Sequence, residues 1–295
     1  MANKVKSVWF CTSCGNESSK WMGKCPACGE WNTMVEETVA TGKRQNQSAN
    51  VPGKSQKPMP LSEIDSSKES RISLNNNEFD RILGGGIVEG SLVLIGGEPG
   101  IGKSTLSLQI PLMCPELKTL YVTGEESARQ VKLRAARIGG TDSNCLIYSE
   151  TLMENILAEA RGIMPDLMIV DSVQTMFSQN VESSPGSISQ IKETAAQLLR
   201  FAKETGVPVI LIGHITKEGS IAGPKILEHI VDVVLQFEGD NRGTYRLLRS
   251  IKNRFGSTSE LAVFEMTGKG LREVSNPSEM LIPMHDENLS GVAVS

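Results

Sequence analysis

The segment Gly97-Glu-Pro-Gly-Ile-Gly-Lys-Ser104 constrains this chain more than any other. It has the spacing G-x-x-x-x-G-K-S/T, it follows the apolar run 91–96, and it opens an amphipathic stretch at Lys103. A buried strand, a glycine-rich turn and a helix start, in that order, make a phosphate cradle. The glycines let backbone N–H groups converge on phosphate oxygens, and the helix N-terminus adds its dipole. The cradle spans Gly97, Glu98, Pro99, Gly100, Ile101, Gly102, Lys103, Ser104 and Thr105. Lys103 is expected to reach the β- and γ-phosphates of ATP, Ser104 to ligate Mg²⁺, and Thr105 to line the α-phosphate.

The surrounding pattern agrees with a nucleotide-binding α/β fold. Apolar runs at 91–96, 119–123, 145–149, 167–171 and 208–213 read as strands. Amphipathic stretches at 103–113, 127–138, 152–164 and 187–205 read as helices between them. Runs at 231–238 and 245–252 and a hairpin near 261–273 add further strands. Repeated strand–helix alternation predicts a parallel-rich central sheet covered on both faces. Asp171 ends the run 167–171, where such enzymes hold Mg²⁺ through water. Glu125 and Glu126 follow the strand 119–123, and one of them can polarise the attacking water. Glu125 is favoured, with Glu126 serving as a helix N-terminal charge.

Four of the six cysteines form two C-x-x-C pairs, Cys11 with Cys14 and Cys25 with Cys28. Ten residues separate the pairs, so two turns can aim four thiolates at one ion. A closed S4 set favours a structural Zn²⁺ that the small module needs in order to fold. Gly15 and Gly29 follow the second cysteine of each pair and suit a tight knuckle. Trp21 and Trp31 are expected to pack over the knuckles, an exposed contact surface with Lys24 being the alternative. Cys114 and Cys145 read as ordinary buried cysteines.

These signals divide the chain into a zinc-binding module at 1–35, a polar and mildly basic linker at 36–69, an ATPase domain at 70–275 and a tail at 276–295. A net charge of −4 neither marks nucleic-acid binding nor excludes a local basic channel. No run approaches the roughly 20 apolar residues of a membrane span, and residues 1–10 lack a signal-peptide core. No membrane partner and a cytoplasmic location are therefore expected.

Longer motifs resemble the bacterial RadA (Sms) family of DNA-recombination ATPases, which is related to RecA and the DnaB-type helicases. The resemblance rests on the cysteine pairs, on LGGGIVEGSLVLIGGEPGIGKST (83–105), on GEES (124–127), on GHITKEGSIAGPKILEHIVD (213–232) and on KNRFG (252–256). Glu98 stands where many members have Asp. Members usually continue into a Lon-protease-like domain, which lies beyond Ser295 or is missing. The resemblance implies a RecA-like core behind a zinc ribbon, assembled as a homo-hexameric ring. It implies ATP-driven movement on single-stranded DNA, branch migration of branched recombination intermediates, and RecA or another recombination protein as partner. It also implies that Lys252 and Arg254 complete a neighbouring subunit's site and that His214 senses the γ-phosphate. A basic segment at 216–225, with Lys217 and Lys225, and the polar segment 172–189 would meet DNA in the ring centre. Two other readings stay open: a ring ATPase acting on proteins, and a zinc-bearing adaptor whose ATPase is a switch.

Overall fold

The computed structural model describes residues 5–40, 60, 70–140, 143–214, 224–240 and 244–274. At the N-terminus β1 (Val5–Cys11), β2 (Glu17–Ser18) and β3 (Met34–Ala40) form an antiparallel ribbon in the order β2-β1-β3. β3 pairs with β1 from Met34 to Ala40, so it runs past the boundary expected at residue 36. Its polar residues hide it from a hydrophobic-pattern reading. Their partners lie elsewhere: the Glu37 carboxylate accepts from the Ile188 N–H at 2.9 Å and the Ser189 hydroxyl at 2.8 Å.

Past residue 70, β4 (Arg71–Ile72), α1 (Asn77–Leu83) and β5 (Ile87–Val88) lead into the core. Sequence pattern alone did not indicate α1, which is short. The Asn76 side chain caps its first turn, Gly84 ends it in the left-handed conformation, and Phe79, Ile82 and Leu83 bury its apolar face.

The core follows as β6 (Leu92–Gly97), α2 (Lys103–Met113), β7 (Thr119–Thr123), α3 (Ala128–Ile138), β8 (Cys145–Ser149), α4 (Met153–Ile163), β9 (Leu167–Asp171), α5 (Ile188–Thr205), β10 (Val209–His214), α6 (Pro224–Glu228), β11 (Val233–Gly239), β12 (Tyr245–Asn253), β13 (Leu261–Thr267) and β14 (Gly270–Glu273). Among the described residues these strands form one nine-stranded sheet, ordered β14-β13-β12-β11-β6-β10-β9-β7-β8. The six strands from β11 to β8 are parallel, and β12, β13 and β14 return antiparallel. This is the α/β architecture expected from the alternation.

Strand side chains alternate between two cores, as a period of two requires. Val93, Ile95, Tyr121, Ile169 and Ile212 pack with α1, α2 and α3. Leu92, Leu94, Val122, Val170 and Leu211 pack with α4, α5 and α6. The ribbon docks on the second layer, where Phe10 joins Ile188 and Ile226 in a small apolar cluster. The Lys192 ammonium lies 5.7 Å from the Phe10 ring and donates to the Gly15 carbonyl at 2.6 Å. Among the described residues no helix is long and apolar enough to cross a membrane.

Candidate nucleotide site and metal centre

The C-terminal tips of β6, β10, β9 and β7 lie side by side. His214 is in register with Gly97, and Asp171 with Thr123. The cradle, His214, Asp171 and Glu125 therefore meet at one edge of the parallel sheet, where open α/β folds take ligands.

The glycine-rich turn joins the end of β6 to the start of α2. A Cβ on Gly97 would stand 2.5 Å from the Phe237 carbonyl oxygen, so no side chain fits there. Gly102 has φ +115° and caps α2, a conformation that glycine adopts without strain. Lys103 is only 3% exposed, and its ammonium donates to the carbonyls of Gly97 and Glu98, each at 2.8 Å. Burial pushes Lys103 down to about 8, against the opposite pull of Asp171, Glu125 and Glu98. Ser104 and Thr105 are half-buried in the first turn of α2.

Asp171 is buried and accepts from the Tyr121 hydroxyl at 2.8 Å. Burial and then the Asp171 charge push Tyr121 well above its ordinary range, which keeps it a donor. Glu125 accepts from the Ser172 hydroxyl at 2.6 Å and lies 3.1 Å from His214 Nε2. Burial alone would raise the Glu125 carboxyl. The Ser172 hydrogen bond, His214 and Lys103 outweigh it, so the net shift is downward and the group stays ionised. Glu126 points elsewhere and pairs with Arg134 on α3. His214 Nδ1 is buried without a hydrogen-bond partner among the described residues.

Several residues of this site carry no sequence signal. Tyr121 looks like any strand aromatic, and Ser172 like any loop serine. Arg246, far along the chain on β12, donates to the Ile101 carbonyl at 2.9 Å. Gly124 approaches so closely that a Cβ would meet the Thr175 hydroxyl at 2.2 Å.

Lys252 and Arg254 lie at the opposite end of the sheet. Lys252 pairs with Val234, which pairs with Leu94. The Lys252 ammonium donates to the carbonyls of Glu228 and, at 2.8 Å, Val231. Arg254 holds Asp232 at 3.2 Å, and Asp232 also accepts from Lys203 at 2.9 Å and from the Leu92 N–H at 3.1 Å. Gly97 ends β6, so about 10 Å of strand separates the Lys252 backbone, level with Leu94, and about 17 Å the Arg254 end, level with Leu92, from their own cradle.

Of the two segments linked to DNA by resemblance, 172–189 is described and anchored. The Gln190 amide donates to the carbonyls of Ser178, Val181 and Ser183. The segment 216–225 lies outside the described residues, apart from the backbone of 224–225 in α6.

In the ribbon the sulfurs of Cys11, Cys14, Cys25 and Cys28 all lie within 4.8 Å of one another. Cys11 and Cys28 are 3.6 Å apart, and Cys14 and Cys25 are 3.5 Å apart, all without disulfides. A tetrahedral ion with bonds of about 2.3 Å needs sulfurs about 3.8 Å apart, so the donor set fits. Gly15 and Gly29 have φ +69° and +74°, and their N–H groups close each knuckle on the carbonyls of Cys11 and Cys25. Trp21 and Trp31 correct an expectation. They are 57% and 69% exposed, not packed over the knuckles, because the ribbon's own core is little more than Met34 and the cysteines. Cys114 is buried, but Cys145, on edge strand β8, is only partly so.

Comparison with known proteins places these features. Residues 59–220 match the AAA domain family, and residues 9–36 match the rubredoxin metal binding domain. The chain is 49% identical to a DNA repair protein RadA of Bacillus subtilis over 99% of its own length. It is 48% identical to the RadA of Listeria monocytogenes over 100%, and 46% identical to that of Pseudomonas aeruginosa over 99%. It spans 65%, 65% and 64% of those relatives' lengths. A KaiC-like protein of Pyrococcus horikoshii, 24% identical, matches 70% of this chain and 100% of its own with a TM-score of 0.57, so the two share a fold.

Proposed function

The chain belongs to the AAA domain family, and on that premise we propose that it is an ATP hydrolase stimulated by single-stranded DNA, working in recombinational DNA repair. The observation that carries the hydrolase reading is the meeting of Lys103, Asp171, Glu125 and His214 at one sheet edge. On this reading Lys103 exchanges the Gly97 and Glu98 carbonyls for the β- and γ-phosphate oxygens of ATP. Ser104 and, through water, Asp171 would hold Mg²⁺, which when bound supplies charge neutralisation for the phosphates. Glu125 takes a proton from the attacking water. Its ionised carboxylate and its contact with His214 support that role, and Glu126's pairing with Arg134 argues against the alternative. His214 links the γ-phosphate end of the site to the segment that follows β10.

Lys252 and Arg254 act on the ATP of an adjacent subunit in a hexameric ring. Their distance from their own cradle supports action in trans, where a cation stabilises charge on the transferring phosphoryl group. The four cysteines hold a structural Zn²⁺. Residues 172–189 and 216–225 track single-stranded or branched DNA through its phosphates. The motion that follows is translocation and branch migration, alongside RecA or another recombination protein, in the cytoplasm. The domains are the ribbon, a linker, the ATPase core from about residue 70 to 275, and the tail.

The likeness to the RadA DNA repair proteins supports the DNA side of this reading. The test is the steady-state ATPase rate of the purified chain with and without an oligothymidylate, against Lys103→Ala as blank. DNA should raise turnover several-fold. A rate indifferent to DNA but raised by a protein partner would overturn the DNA assignment.

A further inference from the structure

The chain has three tryptophans, and two of them, Trp21 and Trp31, are large exposed apolar side chains on the ribbon. Burying an aromatic ring removes a large apolar area from water, so paired exposed indoles mark a contact surface. They are also held in place. Lys24 and Trp31 form an antiparallel backbone bridge, and the Asn32 N–H donates to the Gly23 carbonyl at 2.8 Å. Both rings come within 4 Å of the same point above Gly23, Trp21 at 3.5 Å and Trp31 at 3.9 Å. A side chain on Gly23 would fill the space between them.

Two ammonium groups flank the indoles. Lys24 lies 5.6 Å from the Trp31 ring centre, and Lys20 is exposed beside Trp21. Two nearby acids are engaged: Glu30 accepts from the Ser13 hydroxyl, and Glu37 is turned toward α5. Glu17 and Glu36 are exposed, on β2 and β3. The opposite contact of the ribbon is with Ile188, Ser189 and Ile226. Ile188 and Ser189 close the segment 172–189, assigned above to DNA. Aromatic faces edged by ammonium groups suit a ligand with flat rings and a polyanionic backbone.

We propose that Trp21 and Trp31 form a stacking platform for unpaired bases of single-stranded DNA, with Lys20 and Lys24 meeting its phosphates. The platform rests on the reading of the chain as a DNA-stimulated ATPase and adds a base-contacting site on the zinc ribbon.

The test uses the full, zinc-loaded chain, an oligothymidylate of about 20 nucleotides and an abasic oligonucleotide of equal length, which keeps the phosphates but has nothing to stack. Oligothymidylate should quench tryptophan emission, and the abasic strand should not. Trp21→Ala/Trp31→Ala should bind oligothymidylate at least about tenfold more weakly while binding the abasic strand unchanged. Trp21→Phe/Trp31→Phe should recover part of the loss. Zinc content of one per chain in each variant checks that the ribbon is folded. Equal losses on both strands, or no loss on either, would overturn the platform. If oligothymidylate stimulates ATPase but the alanine variant binds it like wild type, the platform fails and the ATPase reading stands. If the wild-type chain binds neither strand, both fall.

Discussion

Raising the pH through 8 should weaken ATP binding through Lys103 alone. Its ammonium is buried and rests on two neutral carbonyls, and burial brings it to about 8. Phosphate oxygens in place of those carbonyls favour the charged form strongly. Nucleotide binding must then take up a proton whenever Lys103 is neutral beforehand. The neutral fraction is about 0.1 at pH 7, about 0.5 at pH 8 and about 0.9 at pH 9. The apparent Kd should rise about twofold at pH 8 and about elevenfold at pH 9 relative to acidic solution. Above about pH 7.5 the terminal phosphate is already fully ionised, so it adds no proton of its own. Calorimetry with a non-hydrolysable ATP analogue, in buffers of different ionisation enthalpy, reads the uptake directly. Lys103→Ala should show none. Zero uptake by the wild-type chain at pH 8 to 9, or equal uptake by the variant, would refute the argument. The same shift has a stability consequence. The unfolded chain holds the Lys103 proton up to 10.5 and the folded one only up to about 8. The unfolded state therefore binds more protons between those values, and nucleotide-free stability should rise with pH across that window. The shift corresponds to at most about 3 kcal/mol, so Lys103→Met should raise the nucleotide-free Tm while abolishing turnover.

Glu125→Gln should retain ATP binding and lose turnover by at least about a hundredfold, whereas Glu126→Gln should change turnover little; the reverse ranking in single-turnover assays would exchange their roles. Arg254→Ala should bind ATP nearly normally yet hydrolyse poorly, and mixing it with Lys103→Ala should restore some turnover, because one interface then keeps both intact groups. Absence of rescue in demonstrably mixed assemblies would rule out action in trans. Cys28→Ala should lose zinc and unfold the ribbon while leaving the ATPase core folded, as read by metal analysis and hydrogen exchange. Glu37→Ala should speed exchange at the start of α5, since the Ile188 N–H loses its carboxylate; unchanged protection there would mean that the ribbon contact does not order that segment.

Much of this protein is local in sequence and was legible there. The cradle is one turn between a strand and a helix, and its glycines are demanded by backbone geometry within a few residues. The thiolate set follows from two knuckles, each closed by a hydrogen bond to its own first cysteine. The α/β class follows from hydrophobic period. What the tertiary structure decided is who meets whom. The order β6-β10-β9-β7 puts side by side strands that are distant in the chain, so Glu125 finds His214 and Ser172, and Tyr121 finds Asp171. The antiparallel return of β12 carries Lys252 and Arg254 toward the far end of the sheet, away from Lys103, Glu125, Asp171 and His214. β3 outran its expected boundary because its partners, β1 and α5, supply what its own polar pattern does not announce. The tryptophans stayed outside because a ribbon this small has no interior to receive them. Short-range rules write the turns and knuckles, while strand order and the volume of a core are properties of the whole chain at once.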